Sequence, residues 1–132
     1  MWSNQLESKI FSILKTRLAD LKTKYPKMYF TTQEFSEIDA TFPTWYMKTL
    51  AYSEVGEDLM GDAVNGVRFG CQIEVVTNKD MSDVLYIMDR TCDEMKKLGF
   101  KVIATPTWLN SGDLKRSVAR FRRIIGAGDV IE

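Results

Sequence analysis

The chain has 132 residues, enough to bury one hydrophobic core but not two, so residues 1–132 are expected to form a single domain. Hydrophobic residues make up 45% and charged residues 27%, a balance that excludes a disordered chain; the net charge of +0 gives no global pull toward phosphate backbones or anionic lipid. Histidine is absent, which removes the commonest general base and the commonest metal ligand together.

The amino-terminal MWSNQLESK lacks the basic start, apolar middle and small-residue cleavage site of a secretory signal, and no apolar run approaches the roughly 18 residues of a membrane span. A soluble protein with no membrane partner, not exported by that route, is expected. From Asn4 to about Lys24 the residues Leu6, Ile10, Ile13, Leu14, Leu18 and Leu21 recur at helical spacing and predict one amphipathic helix. Asn4 followed by Glu7 resembles a capping box, and Lys22, Lys24 and Pro26 mark the other end.

The period then changes to two. MYFTT near Met28 reads as a short strand and TWYMKTLAY, Thr44 to Tyr52, as a longer one. EVGEDLMGDAVNG follows as an acidic loop carrying Glu54, Glu57, Asp58 and Asp62. In GVRFGCQIEVV, Val67, Phe69, Cys71, Ile73 and Val75 alternate with Arg68, Gln72 and Glu74, the pattern of a half-buried strand. A second helix spans Met81 to Leu98, with Asp80 as cap, Gly99 as stop, and Val84, Met88, Thr91, Met95 and Leu98 on one side. FKVIAT, Phe100 to Thr105, predicts another strand, TPTWLNSGD a loop displaying Trp108, and RSVARFRRIIG, Arg116 to Gly126, the closing strand. The fold class expected is α+β, a mostly antiparallel sheet packed against two main helices on one face.

Catalytic and cofactor chemistry finds little footing. The glycines at 56, 61 and 66 lack the lysine and hydroxyl of a phosphate loop. Glu54, Glu57, Asp58 and Asp62 are oxygen donors suited to calcium or magnesium, but their spacing does not follow the helix-loop-helix calcium pattern, so a solvated acidic loop is expected and no metal or other cofactor. Cys71 lies on the apolar side of its strand without a histidine partner, and Cys71 and Cys92 form no CxxC pair; buried, reduced thiols and no catalytic residue are the expectation. The methionines, Met47, Met81, Met88 and Met95 among them, are read as core.

Four of the chain's seven arginines stand in the closing strand. Alternation sends Arg116, Val118, Arg120, Arg122 and Ile124 to one side, and Ser117, Ala119, Phe121, Arg123 and Ile125 to the core side. Three readings of the resulting ridge stand side by side: a solvated sheet face, a subunit interface, and a nucleic-acid surface. Planar guanidinium forks pair two-pronged with carboxylates, so Arg116, Arg120, Arg122 and Arg123 could meet Glu54, Glu57, Asp58 and Asp62 of a neighbour in a head-to-tail ring. The ridge lacks the interleaved aromatics of a base-stacking surface.

AYSEVGEDLMGDAVNGVRFGCQIEVVTN, residues 51–78, paired with RSVARFRRIIGAGDVI, residues 116–131, resembles small proteins encoded among the tail genes of tailed phages infecting Gram-positive bacteria, the tail terminator, tail completion or minor capsid proteins. The resemblance implies a structural, non-catalytic protein that assembles as a hexameric ring on the last ring of the tail tube. Such a ring ends tube polymerisation and gives the head-tail joining surface. It further implies a homo-oligomer whose partners are the tail tube protein and the head-tail connector protein, with DNA passing through the lumen without sequence-specific binding. The location implied is the tail or neck of a virion assembled in the bacterial host cytoplasm. The positions that carry the match are Glu54, Gly56, Glu57 and Asp58 with Arg116, Arg120, Arg122 and Arg123; their role in ring contacts is inferred from charge alone. Trp108 is a candidate contact for tube or connector, or a cap on the sheet. The alternatives are a neighbouring head-completion or connector protein of the neck, and a nucleic-acid-binding module.

Overall fold

Alternating apolar and polar residues give strands and the 3.6-residue stripes give helices. The computed structural model describes residues 5–32, 42–57, 64–111, 113–126 and 129, with backbone alone at 51–57, 64–65 and 105–111. Helix α1 (Leu6–Arg17) leads into the single turn α2 (Leu21–Lys24) and strand β1 (Tyr29–Thr31). The hairpin of β2 (Thr44–Glu57) and β3 (Val64–Thr77) follows, then α3 (Met81–Lys97), β4 (Lys101–Ser111) and β5 (Leu114–Gly126). The sheet has the order β1-β2-β3-β5-β4; β1 runs parallel to β2 and the other pairs are antiparallel. Both β3 and β4 flank β5, so they are parallel to one another and α3 is the crossover between them. The chain is thus α+β, a mostly antiparallel sheet with its helices on one face.

That face holds the core. Val67, Phe69, Cys71, Ile73 and Val75 of β3 lie beside Trp45 and Met47 of β2 and Ala119, Phe121 and Ile125 of β5. They are covered by Leu6, Ile10 and Leu14 of α1 and by Val84, Ile87, Met88 and Met95 of α3. Trp45, fully buried, ties the layers together: its ring lies 6.0 Å from Phe11 and 5.4 Å from Phe30, and its Nε1 donates to Thr91 Oγ1 at 3.0 Å. The Thr91 hydroxyl in turn donates to the Ile87 carbonyl at 2.9 Å, so neither polar group is left unsatisfied.

The first helix departs from expectation. One helix from Asn4 to Lys24 is predicted, but the chain breaks at Leu18–Asp20, where Ala19, Leu21 and Lys22 bond three residues back. Aspartate is a poor interior helix residue, and Asp20 is held from the side by Arg90 of α3 through two bonds of 2.6 and 3.1 Å. Arg90 thereby keeps the Asp20 carboxyl below its usual range. Asn4 of the expected capping box lies outside the described residues; Glu7 accepts from Thr49 Oγ1 of β2 instead. The α3 boundaries match expectation. Asp80 is the cap residue in extended conformation, although its side chain makes no capping bond. At the other end, Gly99 takes φ +86°, and the bonds Phe100 N to Met95 O and Gly99 N to Lys96 O, both 3.0 Å, complete a Schellman close.

Parts of two expected loops are strands. β2 continues past Tyr52 to Glu57 because Ser53, Glu54, Val55 and Glu57 pair with Arg68, Val67, Gly66 and Val64 across the hairpin, after a register shift between Leu50 and Ser53. Glycine and acidic residues depress strand propensity locally, and the partner strand overrides it. Likewise Thr107, Trp108, Leu109, Asn110 and Ser111 extend β4 by pairing with Val118, Ser117, Arg116, Lys115 and Leu114.

Candidate basic interface on the open sheet face

The alternation of β5 is realised as its sequence dictates. Ser117, Ala119, Phe121 and Ile125 are buried beneath the helices, while Arg120, Arg122 and Ile124 are exposed on the other face, Ile124 by 54%. Register then decides what stands beside each arginine. Arg122 is opposite Gly70 on β3 and Lys101 on β4; Arg120 is opposite Gln72 and Ala104; Arg116 is opposite Val76 and Leu109. Arg68 lies opposite Ile124, and Lys48 of β2 opposite Gln72. The basic patch is therefore wider than the β5 ridge: Lys48, Arg68 and Lys101 join it from three other strands. Each is readable in hindsight from alternation, since Arg68 sits between the core residues Val67 and Phe69; which strands are neighbours is not.

Against these cations, Glu74 is the only carboxylate among the strand side chains described. It is reached through an amide: Arg120 Nε donates to Gln72 Oε1 at 2.9 Å, and Gln72 Nε2 donates to Glu74 Oε1 at 2.9 Å. Arg68, Lys101, Arg116 and Arg122 form no ion pair among the described residues. Arg116 is half-buried, with its Nε enclosed and without a hydrogen-bond partner among those residues. Such a donor costs about 1–3 kcal/mol of desolvation until an acceptor reaches it.

Arg123 belongs elsewhere. It lies on the helix side of β5, where Nη1 donates to the Leu98 carbonyl at 2.8 Å, a cation over the carbonyl end of α3, and Nη2 lies 3.6 Å from Asp129 Oδ2. Asp129 also accepts from the Gly126 amide at 2.7 Å. Of the four expected interface arginines, the fold keeps Arg116, Arg120 and Arg122 on one face and uses Arg123 within the molecule.

Of the acidic candidates, Glu54 and Glu57 have a backbone register with the neighbouring strand. Glu54 pairs with Val67, which is level with Ile125, three residues beyond Arg122 and two strands away. Glu54 and Glu57 stand on β2 rather than in a loop, with their side chains outside the description; Asp58 and Asp62 lie outside the described residues altogether. Trp108 is a backbone position of β4 paired with Ser117, not a loop residue, and its side chain is likewise outside the description.

The helix side carries an ion network that no sequence pattern singles out. Glu94 is buried on α3, with Arg17 Nη1 of α1 at 3.2 Å from Oε2 and Lys97 Nζ at 3.2 Å from Oε1. Burial alone would raise its pKa, but the bonds from Arg17 and Lys97 outweigh it and hold the carboxyl below its usual range. Burial pushes the Cys71 thiol up to about 12, which removes it as a nucleophile at neutral pH. No group of histidine, cysteine, aspartate and glutamate suited to a metal ion occurs among the described residues, and no helix there is long and apolar enough to cross a membrane. No protein-family model matches the chain, and no curated protein is significantly similar to it.

Proposed function

We propose that this chain is a ring-forming structural protein of a phage tail, seated on the last ring of the tube, where it ends polymerisation and receives the head-side connector. The observation that carries the reading is the unpaired basic face: Arg122 and Arg116 have no carboxylate among the described residues, and Arg116 Nε is enclosed without an acceptor there. A heterologous neighbour presenting the acidic end of its β2–β3 hairpin supplies those acceptors, and repetition of one such contact closes a ring. The similarity of residues 51–78 and 116–131 to tail terminator and tail completion proteins supplies the setting and the six-fold count. The role proposed is non-catalytic, with tube protein, connector and passing DNA as its neighbours.

The native mass of the purified chain tests this directly. Six copies of the 15.2 kDa chain are expected at low salt, dissociating as salt rises, and Arg120→Glu with Arg122→Glu is expected to give a folded monomer that forms no ring and no tail. Normal tails from that double variant would overturn the interface. A ring that seats on connector but not on tube protein would move the chain to the adjacent layer of the neck.

A further inference from the structure

Where β5 leaves the sheet beside the end of α3, a cleft of about 300 Å³ is lined by Arg68, Gly99, Lys101, Arg122, Arg123 and Ile124. Every titratable residue described in that lining is a cation. Arg122 and Lys101 are direct cross-strand partners, an arrangement of like charges that destabilises a sheet unless something offsets it. Gly70, on the other side of Arg122, offers no side chain to cover the guanidinium, and Arg68 stands two residues along β3 from Gly70. Arg123 enters from the helix side, fixed by Leu98 and partly neutralised by Asp129. Gly99 forms the wall: its φ of +86° closes α3, and a β-carbon there would come within 3.4 Å of Arg123 Nε.

We propose that this cleft is a binding site for a phosphate-type anion. Four cationic residues from β3, β4 and β5 line a space worth roughly ten waters at about 30 Å³ each, room for a compact multivalent oxyanion with water around it. A tetrahedral oxyanion accepts from several guanidinium forks and an ammonium at once, whereas one carboxylate satisfies a single fork. The anion also removes the repulsion between Arg122 and Lys101 that the register imposes. The site shares Arg122 with the interface proposed above, but Arg68 and Lys101 are not exchanged in the test of that interface, so the two readings fail separately. The phosphate comes either from a small free ligand or from a nucleic-acid backbone.

Calorimetric titration of the full chain with pyrophosphate, and separately with a short DNA duplex, separates the sources. Saturable pyrophosphate binding is expected, weakened about tenfold or more by Arg68→Ala with Lys101→Ala and unaffected by Arg120→Ala, which lies outside the cleft. Binding of both probes with the same loss in the double variant assigns the phosphate to nucleic acid as well; binding of pyrophosphate alone assigns it to a free ligand. Amide shifts of Gly99 and Ile124 on addition of pyrophosphate read occupancy in the unmodified chain, so the test does not depend on a variant folding. No saturable binding of either probe, equal binding by the double variant, or amide shifts confined to other residues would each overturn the site.

Discussion

Replacing Thr91 by valine probes the joint between α3 and β2 that seats the helix whose end forms the cleft wall. The swap keeps the volume of a fully buried residue but removes Oγ1, the acceptor of the Trp45 indole N–H, and no other bond from that indole is present among the described residues. The Ile87 carbonyl that Thr91 bonds retains its place in the helix, so the main consequence is one enclosed donor without a partner, worth about 1–3 kcal/mol. With an unfolding entropy of about 2.1 cal/mol/K per residue, this 132-residue chain should lose about 4–11 °C of Tm. Urea denaturation followed by circular dichroism, in wild-type and Trp45→Phe backgrounds, isolates the pair. In the Trp45→Phe background, with no N–H to strand, the cost of Thr91→Val should fall below about 0.5 kcal/mol. An equal cost in both backgrounds, or none in the wild type, would refute the assignment of the Thr91–Trp45 bond as the joint.

Two further outcomes follow from the helix side. Because Glu94 has its pKa lowered in the folded state, its contribution is fully present above the ordinary carboxylate pKa and is lost as pH falls through the lowered folded value; Glu94→Gln should flatten the acid limb of a stability-versus-pH curve, measured by thermal melts. An acid limb unchanged in the variant would show that Arg17 and Lys97 contribute nothing through this group. Gly99→Ala places a β-carbon at φ +86° and should cost about 1–2 kcal/mol by urea denaturation, with Leu98 and Arg123 amides shifting in the NMR spectrum; a neutral substitution would contradict the left-handed close of α3.

The open face and the helix face thus answer to different demands. Beneath the helices, polar groups find partners within the domain, as with Trp45, Thr91 and Ile87 or Glu94, Arg17 and Lys97; buried Ser117 Oγ, without a partner among the described residues, is the exception. On the open face, Arg116, Arg122, Arg68 and Lys101 are left without carboxylates among the described residues. Isolated exposed cations cost little, since water solvates them. Arg116 Nε is enclosed without an acceptor among the described residues, and Arg122 and Lys101, though exposed to water, stand directly opposed; an anion from outside the domain would relieve both.

Much of this was legible in the residues. The run from Val67 to Val75 could place its apolar members on only one face of a strand, the stripe from Val84 to Leu98 on only one face of a helix, and Gly99 could end that helix as no other residue does so readily. The alternation of β5 likewise separated Arg120 and Arg122 from Phe121 and Ile125. The break at Asp20, the extension of β2 through Glu57 and that of β4 through Trp108 were not legible, because each depends on a partner far along the chain: Arg90 for the first, β3 and β5 for the others. Local pattern fixes which side of its own strand a residue takes, since that follows from backbone geometry with a period of two. It carries no information on which strand lies next door. Only the insertion of β5 between β3 and β4 set Lys101 opposite Arg122 and brought Arg68 beside them, turning an arginine ridge into a basic cleft, because strand order and register are fixed by the packing of the whole core.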